Sequence, residues 1–360
     1  MSKYFIRIGK VVIAFYYEQD HYTELLDMEY ELIKIDETPE DIRILICEDH
    51  FRIPDNAECL STDVWRKGDH VFQFFSAFMR SFWIEYYRDN EYVVRLYFPH
   101  NRSFSLFRIV SPFYLSKPCS CLSDFLHNLL FCALNDIMAI DGYALLHSAC
   151  YKLKKYYCIT GGPQIGKSSL LYSAVHTLDA NYITEDFLYL SEDAYVFGLP
   201  HKSRVVKDKL RKYGYTRKGL VDWFNLSFYN LINKVLKKPN SARYMGIKNI
   251  YGGKYISQAK LDVLIYLTRN NSNNNGEEIF KSCITDIFNE LNNMISYHKV
   301  IDVLKETGIN QYSFNELITK YKSIYDLAFN EIQIARLDIP FFQTVDQAML
   351  ELNKQLGGNE

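Results

Sequence analysis

The sequence predicts an α/β fold with a mixed sheet surrounded by helices, preceded by a β-rich N-terminal region. Short strand-like segments dominate the chain up to about residue 118, whereas strand-like and helix-like segments alternate after it. Within the second region an apolar strand, a glycine-containing loop and a helix follow one another directly, which is typical of α/β folds. We therefore expect two domains, residues 1–118 and residues 119–360.

Length and composition are those of a globular chain. Its 360 residues, 48% of them hydrophobic, are sufficient for buried cores. The eight cysteines are scattered without zinc-site spacing, so we expect reduced thiols in the core. No small-residue cleavage site follows the N-terminal apolar run, and the most apolar later segment, 121–140, carries Asp, Asn and His side chains. We expect no signal peptide, no membrane span and a cytoplasmic protein.

The N-terminal region contains strand-like segments but no motif that carries chemistry. The segments are 4–17, 41–49, 91–98 and 103–110, the last two joined by the turn-rich residues 99–102. They predict an antiparallel β-rich domain, for which we hypothesise a role in recognition or in forming a homo-oligomer. The boundary is expected near Pro118, ahead of a buried amphipathic helix over 121–140.

The second region is expected to contain its elements in a fixed order. Strands are predicted within 142–151 and 154–160, followed by a helix from Lys167 to about Leu178. Further strands are predicted within 181–190 and 194–199, separated by a turn, and a buried strand within 254–269. A polar loop over 270–276 then leads into a mostly helical remainder.

The loop after the 154–160 strand has the pattern G-x-x-x-x-G-K-S. Its glycines allow backbone N–H groups to point at an anion, the following helix adds positive potential, and the lysine reaches the outer phosphates. The preceding strand and the following helix provide the context that the motif requires. The alternative is a glycine-rich turn that fits the pattern by chance. We expect a nucleoside triphosphate such as ATP, with Mg²⁺, to bind this loop. The expected contacts are Gly161, Gly162, Pro163, Gln164, Ile165, Gly166, Lys167, Ser168 and Ser169.

Three residues near the loop are candidates for the chemistry. Glu185 and Asp186 interrupt an apolar strand-like segment, and phosphoryl transfer uses carboxylates to position metal and to accept a proton. A pair of acids forming salt bridges at a strand edge is the alternative. His147 lies one strand before the loop strand. A lone histidine on an apolar strand is usually a packed core residue, but a strand that neighbours the loop strand ends beside the nucleotide. Glu192 and Asp193 follow in a turn and are expected to face solvent.

The order of these segments resembles the catalytic core of the HPr kinase/phosphorylase family. The segments are "LLHSAC", "CITGGPQIGKSSL", "YITEDFLYL" and "VFGLPHKSRV", and the similarity covers roughly residues 142–206, with weaker agreement at "QAKLDVLIYLTR". The segments also resemble the shorter HPr-kinase-like kinases of peptide natural-product clusters, including those that modify lasso-peptide precursors. The resemblance implies a serine kinase with a core of HPr-kinase type.

The resemblance also implies roles for the residues. Lys167 would neutralise the transferred phosphoryl group, Ser168 would coordinate Mg²⁺, and His147 would lie close to the transferred phosphate. The acid pair falls where the family usually has two aspartates, one of them the base; here the first is Glu185, so the base stays open between Glu185 and Asp186. Asp186 is the second candidate metal ligand. The segment around Arg204 lacks the glutamate-containing signature linked to the phosphorylase reaction, so the resemblance does not extend to that reaction or to HPr as substrate.

Residues 201–260 form a strongly basic segment in which Asp208 and Asp222 are the acids. Such a segment can shield ATP phosphates, bind an acidic peptide or recognise a phosphorylated product; a solvated basic face is the alternative. Arg204, nearest the acid pair in sequence, is the best candidate for a phosphate contact. No nucleic-acid-binding module is recognised. The basic residues are Lys202, Arg204, Lys207, Lys209, Arg211, Lys212, Arg217, Lys218, Lys234, Lys237, Lys238, Arg243, Lys248, Lys254 and Lys260.

The leading functional hypothesis is therefore an ATP- and Mg²⁺-dependent kinase. Its acceptor would be a Ser or Thr hydroxyl of a peptide or small protein, such as a ribosomally made natural-product precursor. Two alternatives stay open: a small-molecule kinase on the same core, and a nucleotide-binding regulatory protein that does not transfer phosphate. Neither nucleic acid nor membrane is expected as a partner.

Overall fold

The chain forms two mixed sheets with helices packed on them. The structure is a computed structural model that describes residues 1–77, 80–98, 117–162, 165–200, 203–206, 242–245, 250–268, 283, 297–338 and 347–348. Within these ranges one sheet has nine strands, another has eight, and a separate ribbon has two. The predicted α/β class with a mixed sheet is confirmed at this level.

The nine-stranded sheet is built from the N-terminal residues. Its strand order is β3-β1-β2-β4-β9-β8-β7-β6-β5, so both edges are two-residue strands. The elements are β1 (Ser2–Ile8), β2 (Val11–Tyr17), α1 (His21–Tyr30), β3 (Lys34–Ile35), β4 (Ile42–Cys47), β5 (Glu58–Cys59), β6 (Val64–Lys67), β7 (His70–Ala77), β8 (Arg80–Arg88) and β9 (Tyr92–Tyr97).

The expectation of a purely antiparallel N-terminal sheet is wrong. Strand β2 pairs with β4 in parallel, and β4 pairs with β9 in parallel. Parallel neighbours need a crossover connection, which α1 and β3 supply between β2 and β4 and the β5–β8 strands supply between β4 and β9. Helix α1 and the β7–β8 pair were not predicted, and segments 99–102 and 103–110 lie outside the described residues.

The eight-stranded sheet contains the loop strand. Its order is β17-β14-β13-β10-β11-β18-β19, with β12 also paired to β10. Strands β11, β18 and β19 are parallel, and the other pairings are antiparallel. The strands are β10 (Tyr143–Lys152), β11 (Tyr156–Thr160), β12 (Asn181–Thr184), β13 (Phe187–Ser191), β14 (Tyr195–Gly198), β17 (Gln258–Lys260), β18 (Val263–Thr268) and β19 (Gln333–Asp338), and the separate ribbon is β15 (Ser203–Val206) with β16 (Ala242–Met245).

The named helices that follow the nine-stranded sheet are α2 (Lys117–Asp124), α3 (Phe131–Ile140), α4 (Lys167–Thr177), α5 (Tyr297–Glu306) and α6 (Phe314–Asn330), and a π-helical turn, Phe125–Leu129, joins α2 to α3. Helices α3, α4 and α6 lie on the eight-stranded sheet, whereas α2 contacts β8 and α5 contacts β7 of the nine-stranded sheet. Leu171 of α4 packs on one face with Ile159 and Ile265, whereas α3 and α6 lie on the other face with Cys158 and Leu264. Alternate side chains of β11 thus enter two different cores, as expected for a central strand.

The C-terminal part departs from the predicted helical pattern. The helices α5 and α6 are present, but β19 follows α6 and extends the sheet beside β18. A capping box formed by Ser313 and Glu316 begins α6. The predicted 270–276 loop lies outside the described residues.

Both sheets contribute to one hydrophobic cluster. It contains Ile6 and Ile84 of the nine-stranded sheet together with Leu145 and Leu190 of the eight-stranded sheet, all fully buried. The turn after α5 adds polar contacts, because Tyr92 donates a hydrogen bond to Asn310 Oδ1 over 3.1 Å. The two-domain division stays a prediction. In the described helices no segment has the length and apolar character of a membrane span.

The cysteines are only partly core residues. Within the described part of the chain they are free thiols, and Cys121, Cys132, Cys150, Cys158 and Cys283 are buried. Cys59 is exposed and Cys47 is half-buried, so the expectation of core positions is wrong for these two.

Candidate functional site

The glycine-containing loop joins the carboxyl end of β11 to the first turn of α4. Gly161 has φ +144°, and a Cβ atom there would lie 2.7 Å from the carbonyl oxygen of Leu267 on the neighbouring strand β18. Gly166 has φ +115° and is the N-cap of α4. Both conformations favour glycine, and the first also leaves no room for a side chain. The glycines of the motif are therefore required by the path of the backbone.

Lys167 folds back over the start of the loop. Its side chain is only 6% exposed, and its Nζ donates hydrogen bonds to the carbonyl oxygens of Gly161 (2.7 Å) and Gly162 (3.4 Å). The ammonium group thus lies at the junction of β11 and the loop. Ser168 and Ser169 follow in the first turn of α4 and are half-buried, as is Ile165. Pro163 and Gln164 lie outside the described residues.

His147 lies beside the start of the loop. In the antiparallel pairing of β10 with β11, Ser148 is opposite Thr160, so the preceding residue, His147, is level with the first loop residue. The Thr160 hydroxyl donates to the carbonyl oxygen of His147 over 3.3 Å. The sheet therefore brings His147 to the edge where the parallel strands β11 and β18 end, which is where ligands usually bind α/β sheets.

The side chain of His147 contacts Asp186. The distance from Nε2 to Asp186 Oδ1 is 2.9 Å; the histidine side chain is 12% exposed and the aspartate side chain 55% exposed. Among the described residues the other ring nitrogen, Nδ1, is buried without a hydrogen-bond partner. The ring can therefore donate an N–H from Nε2 to the Asp186 carboxylate.

The two acids do not lie inside one strand, as the sequence predicted, but form a bend between β12 and β13. Strand β12 pairs with β10 at residues 150–152, whereas β13 pairs with β10 at residues 143–147. Thr184 holds the bend by donating to the carbonyl oxygens of Phe187 (2.8 Å) and Leu199 (3.1 Å). In a continuous strand one of two adjacent carboxylates would face the core, and the bend avoids that burial. We call Glu185 and Asp186 the acid bend.

Glu185 has a partner that the sequence did not indicate. Tyr251 donates a hydrogen bond from its hydroxyl to Glu185 Oε2 over 3.3 Å, across a sequence separation of 66 residues. Tyr251 is 3% exposed, and it lies within the basic 201–260 segment, whose sequence is notable for lysine and arginine. A local sequence pattern cannot reveal such a pair, because the two residues are 66 positions apart in the chain.

The structure describes the remaining predicted residues only in part. Asp193 is exposed, and Glu192 forms an ion pair with Lys320 at 3.2 Å. Arg204 lies on β15 opposite Tyr244 of β16, and its side chain is not described. Of the basic segment, Lys254 pairs with Asp179 and Lys260 pairs with Glu331. Residues 201–202, 207–241 and 246–249 lie outside the described residues.

The oxygen donors at the site suit Mg²⁺. This ion prefers hydroxyl, carboxylate and phosphate oxygens and usually takes few of its ligands from the protein. Ser168 Oγ at the start of α4 and the half-exposed Asp186 carboxylate are donors of that kind. Within the described ranges no group of three or more His, Cys, Asp or Glu side chains that could hold a metal ion is found.

Comparisons with known proteins do not assign this chain to a family. No protein-family model matches the chain, and no curated protein matches it. A solved structure, that of the Hpr(Ser) kinase/phosphatase from Coxiella burnetii, aligns with 37% of this chain and 71% of its own length, at 12% sequence identity and a TM-score of 0.24. At that TM-score no conclusion about the fold or the site follows from the likeness.

Proposed function

We propose that this protein is an ATP- and Mg²⁺-dependent kinase that transfers a phosphoryl group to an alcohol hydroxyl. One observation carries the proposal: the glycine-containing loop, His147 and the acid bend meet at one edge of the eight-stranded sheet. Register brings His147 level with Gly161, and the 2.9 Å contact brings Asp186 to His147. A glycine-containing loop at a helix N-terminus and an oriented carboxylate beside it are two of the parts that recur in phosphoryl-transfer sites.

The loop would bind the nucleotide phosphates. Backbone N–H groups at the start of α4 point away from the helix, and the helix dipole adds positive potential there. Lys167 adds a full charge beside the first loop carbonyls. Ser168 and Asp186 would hold Mg²⁺, which would neutralise charge on the phosphate oxygens of ATP, the donor of the phosphoryl group. The contribution of the chain is mainly position and electrostatic stabilisation.

The acid bend would receive the proton of the acceptor hydroxyl. Asp186 is half-exposed and therefore accessible, and His147 orients its carboxylate through Nε2. Glu185 is oriented by Tyr251 instead. Two carboxylates with different partners suit two tasks, metal binding and proton acceptance. We assign Asp186, together with Ser168, to the metal. The base is one of the two acids, Glu185 or Asp186.

The acceptor we propose is a Ser or Thr hydroxyl of a peptide or small protein, as in a ribosomally made natural-product precursor. The basic 201–260 segment supports an acidic or phosphorylated partner by its charge. Within the described residues, both edge strands of the nine-stranded sheet have two residues, and such short edge strands limit pairing with an added peptide strand.

Intact-mass spectrometry tests the proposal. The full-length protein is incubated with ATP, Mg²⁺ and candidate peptides encoded beside its gene, and the same reaction is run with Lys167→Ala, Asp186→Asn and, as control, the exposed Lys155→Ala. A phosphate-sized mass gain is expected in the wild type and in the control, and not in the first two variants. Nucleotide binding without a mass gain on any peptide would contradict peptide kinase activity and favour the small-molecule or regulatory alternatives.

A further inference from the structure

Tyr251 lies in a group of four tyrosines beside the acid bend. We call Tyr172, Tyr182, Tyr251 and Tyr255 the tyrosine cluster. The ring of Tyr251 stacks on that of Tyr182 with centroids 4.1 Å apart and planes at 19°, and it contacts the ring of Tyr172 at 5.3 Å. Tyr172 belongs to α4, the helix that follows the phosphate-binding loop, and Tyr182 belongs to β12, which leads into the acid bend. The cluster therefore connects the loop helix with the acid bend.

The backbone around Tyr251 is fixed to β12. Tyr182 N–H donates to the carbonyl oxygen of Lys254 over 2.7 Å, and Ile256 N–H donates to the carbonyl oxygen of Tyr182 over 2.9 Å. A tyrosine side chain has two rotatable torsions before its hydroxyl, and ring stacking restricts both. The position of the Tyr251 hydroxyl is thus determined by contacts on its backbone and on its ring.

The hydroxyl of Tyr251 is a permanent donor. Burial raises the pKa of Tyr251 well above its ordinary value of 10.0, and the negative charge of Glu185 raises it further. The phenol therefore stays protonated at any working pH and donates its proton to Glu185 Oε2 over 3.3 Å. The neighbouring carboxylate, Asp186, is held by a different side chain, His147.

We infer that Tyr251 is a positioning residue of the proposed kinase: its hydroxyl fixes the carboxylate of Glu185 and keeps it apart from the Asp186–His147 pair. This inference rests on the proposed function. Without the hydroxyl, the longer side chain of Glu185 gains rotamer freedom, and the fraction of enzyme with both carboxylates correctly placed falls. The effect is on the transfer step, because Tyr251 does not belong to the nucleotide-binding loop.

Steady-state kinetics of Tyr251→Phe test the inference. The substitution removes one oxygen and keeps the stacked ring. We expect kcat to fall about 10-fold, as for loss of a hydrogen bond to a charged group, with KM for ATP changed by less than about twofold. Tyr255→Phe is the matched control, since its hydroxyl donates to the carbonyl oxygen of Gly198 over 3.4 Å and to neither acid. The control should retain wild-type kcat within about twofold.

A double-substitution cycle separates positioning from a general structural role. Glu185→Asp shortens the side chain by one methylene and withdraws its carboxylate from Tyr251. In this background Tyr251→Phe should cause no further loss of kcat, whereas a structural role predicts the same loss in both backgrounds. A 10-fold loss in both, or wild-type kcat in Tyr251→Phe, overturns the inference alone. Absence of transfer by the wild type overturns the proposed function, and the inference with it.

Discussion

His147 of β10 and Asp186 of the acid bend meet through Nε2 and Oδ1 at 2.9 Å, while among the described residues the Nδ1 atom of His147 is buried without a partner. The contact brings a carboxylate to the side chain of His147, whose backbone is level with Gly161, the first residue of the glycine-containing loop. The aromatic ring of Phe187 lies 5.2 Å from the imidazole and restricts its rotation. The pair is thus preorganised by the sheet register and by packing.

Replacing His147 should impair transfer more than nucleotide binding. In His147→Ala, Asp186 loses the donor that orients it, so we expect kcat to fall about 100-fold with the Kd for ATP changed by less than about threefold. His147→Gln keeps an N–H donor and should recover part of the loss. Equal rates for wild type and the alanine variant, measured with the same acceptor, would contradict the role of the pair.

Replacing Lys167 should impair nucleotide binding. Its ammonium is buried at the loop, and Lys167→Ala removes the only full charge of the motif, so the Kd for ATP should rise at least about 10-fold by calorimetry. Lys155→Ala removes an exposed lysine from the preceding hairpin turn and serves as the control. Unchanged affinity in Lys167→Ala would argue that the loop does not bind phosphates.

Gly161→Ala should disrupt the loop, and Gly162→Ala should not. The new Cβ at position 161 would lie 2.7 Å from Leu267 O at φ +144°, whereas no atom of the described residues beyond the chain neighbours lies within 4 Å of a Cβ at position 162. We expect Gly161→Ala to weaken ATP binding at least about 10-fold and to lower thermal stability by roughly 1–3 kcal/mol. Similar melting temperatures and affinities for the two variants would contradict the close approach of β11 and β18 at this position.

Asp136 should make stability depend on pH. It is 1% exposed and accepts hydrogen bonds from the backbone N–H groups of Gln311 (3.0 Å) and Tyr312 (2.9 Å). Burial raises the pKa of Asp136 from its ordinary value of 3.8, and those N–H groups oppose the increase. A raised native pKa means that the stabilisation linked to protonation is fully present below about pH 3.8 and is lost as pH rises through the native pKa.

Urea unfolding of wild type and Asp136→Asn measures this dependence. The free energy of unfolding of the wild type, relative to the variant, should decrease as pH rises from about 4 to 7. Asp136→Ala leaves two buried N–H groups without an acceptor and should cost roughly 2–3 kcal/mol near pH 4, and less as pH rises and the wild type loses the stabilisation linked to protonation. A pH-independent difference between wild type and the asparagine variant would show that Asp136 has an ordinary pKa.

The sequence predicted the parts of the fold that depend on local patterns. The β10–β11 pair, the loop and helix α4 are present, because apolar strands and a glycine-bounded loop are encoded by adjacent residues. The parallel pairings of β4 and the addition of β19 beside β18 were missed, since strand partners distant in the chain leave no local pattern. The acid bend was mistaken for one strand for the same reason: β12 and β13 are both strand-like, and only their pairing with β10 separates them.

The sequence predicted the motif of the candidate site but not the contacts between its residues. Lys167, His147 and the acid pair were identified from residue type and order. The contact between His147 and Asp186 depends on the register of three strands. The contact between Tyr251 and Glu185 joins residues that are 66 positions apart.

The hydrophobic cluster shared by the two sheets implies a single cooperative unfolding transition. Ile84 and Leu145, from different sheets, are buried in the same core, so melting of either sheet would expose apolar surface of the other. Calorimetric and van't Hoff enthalpies should therefore agree. A fragment that begins at residue 119 would carry an uncovered apolar face and a tendency to aggregate, so any recognition role of the N-terminal sheet is better measured with point substitutions in the full chain than by truncation.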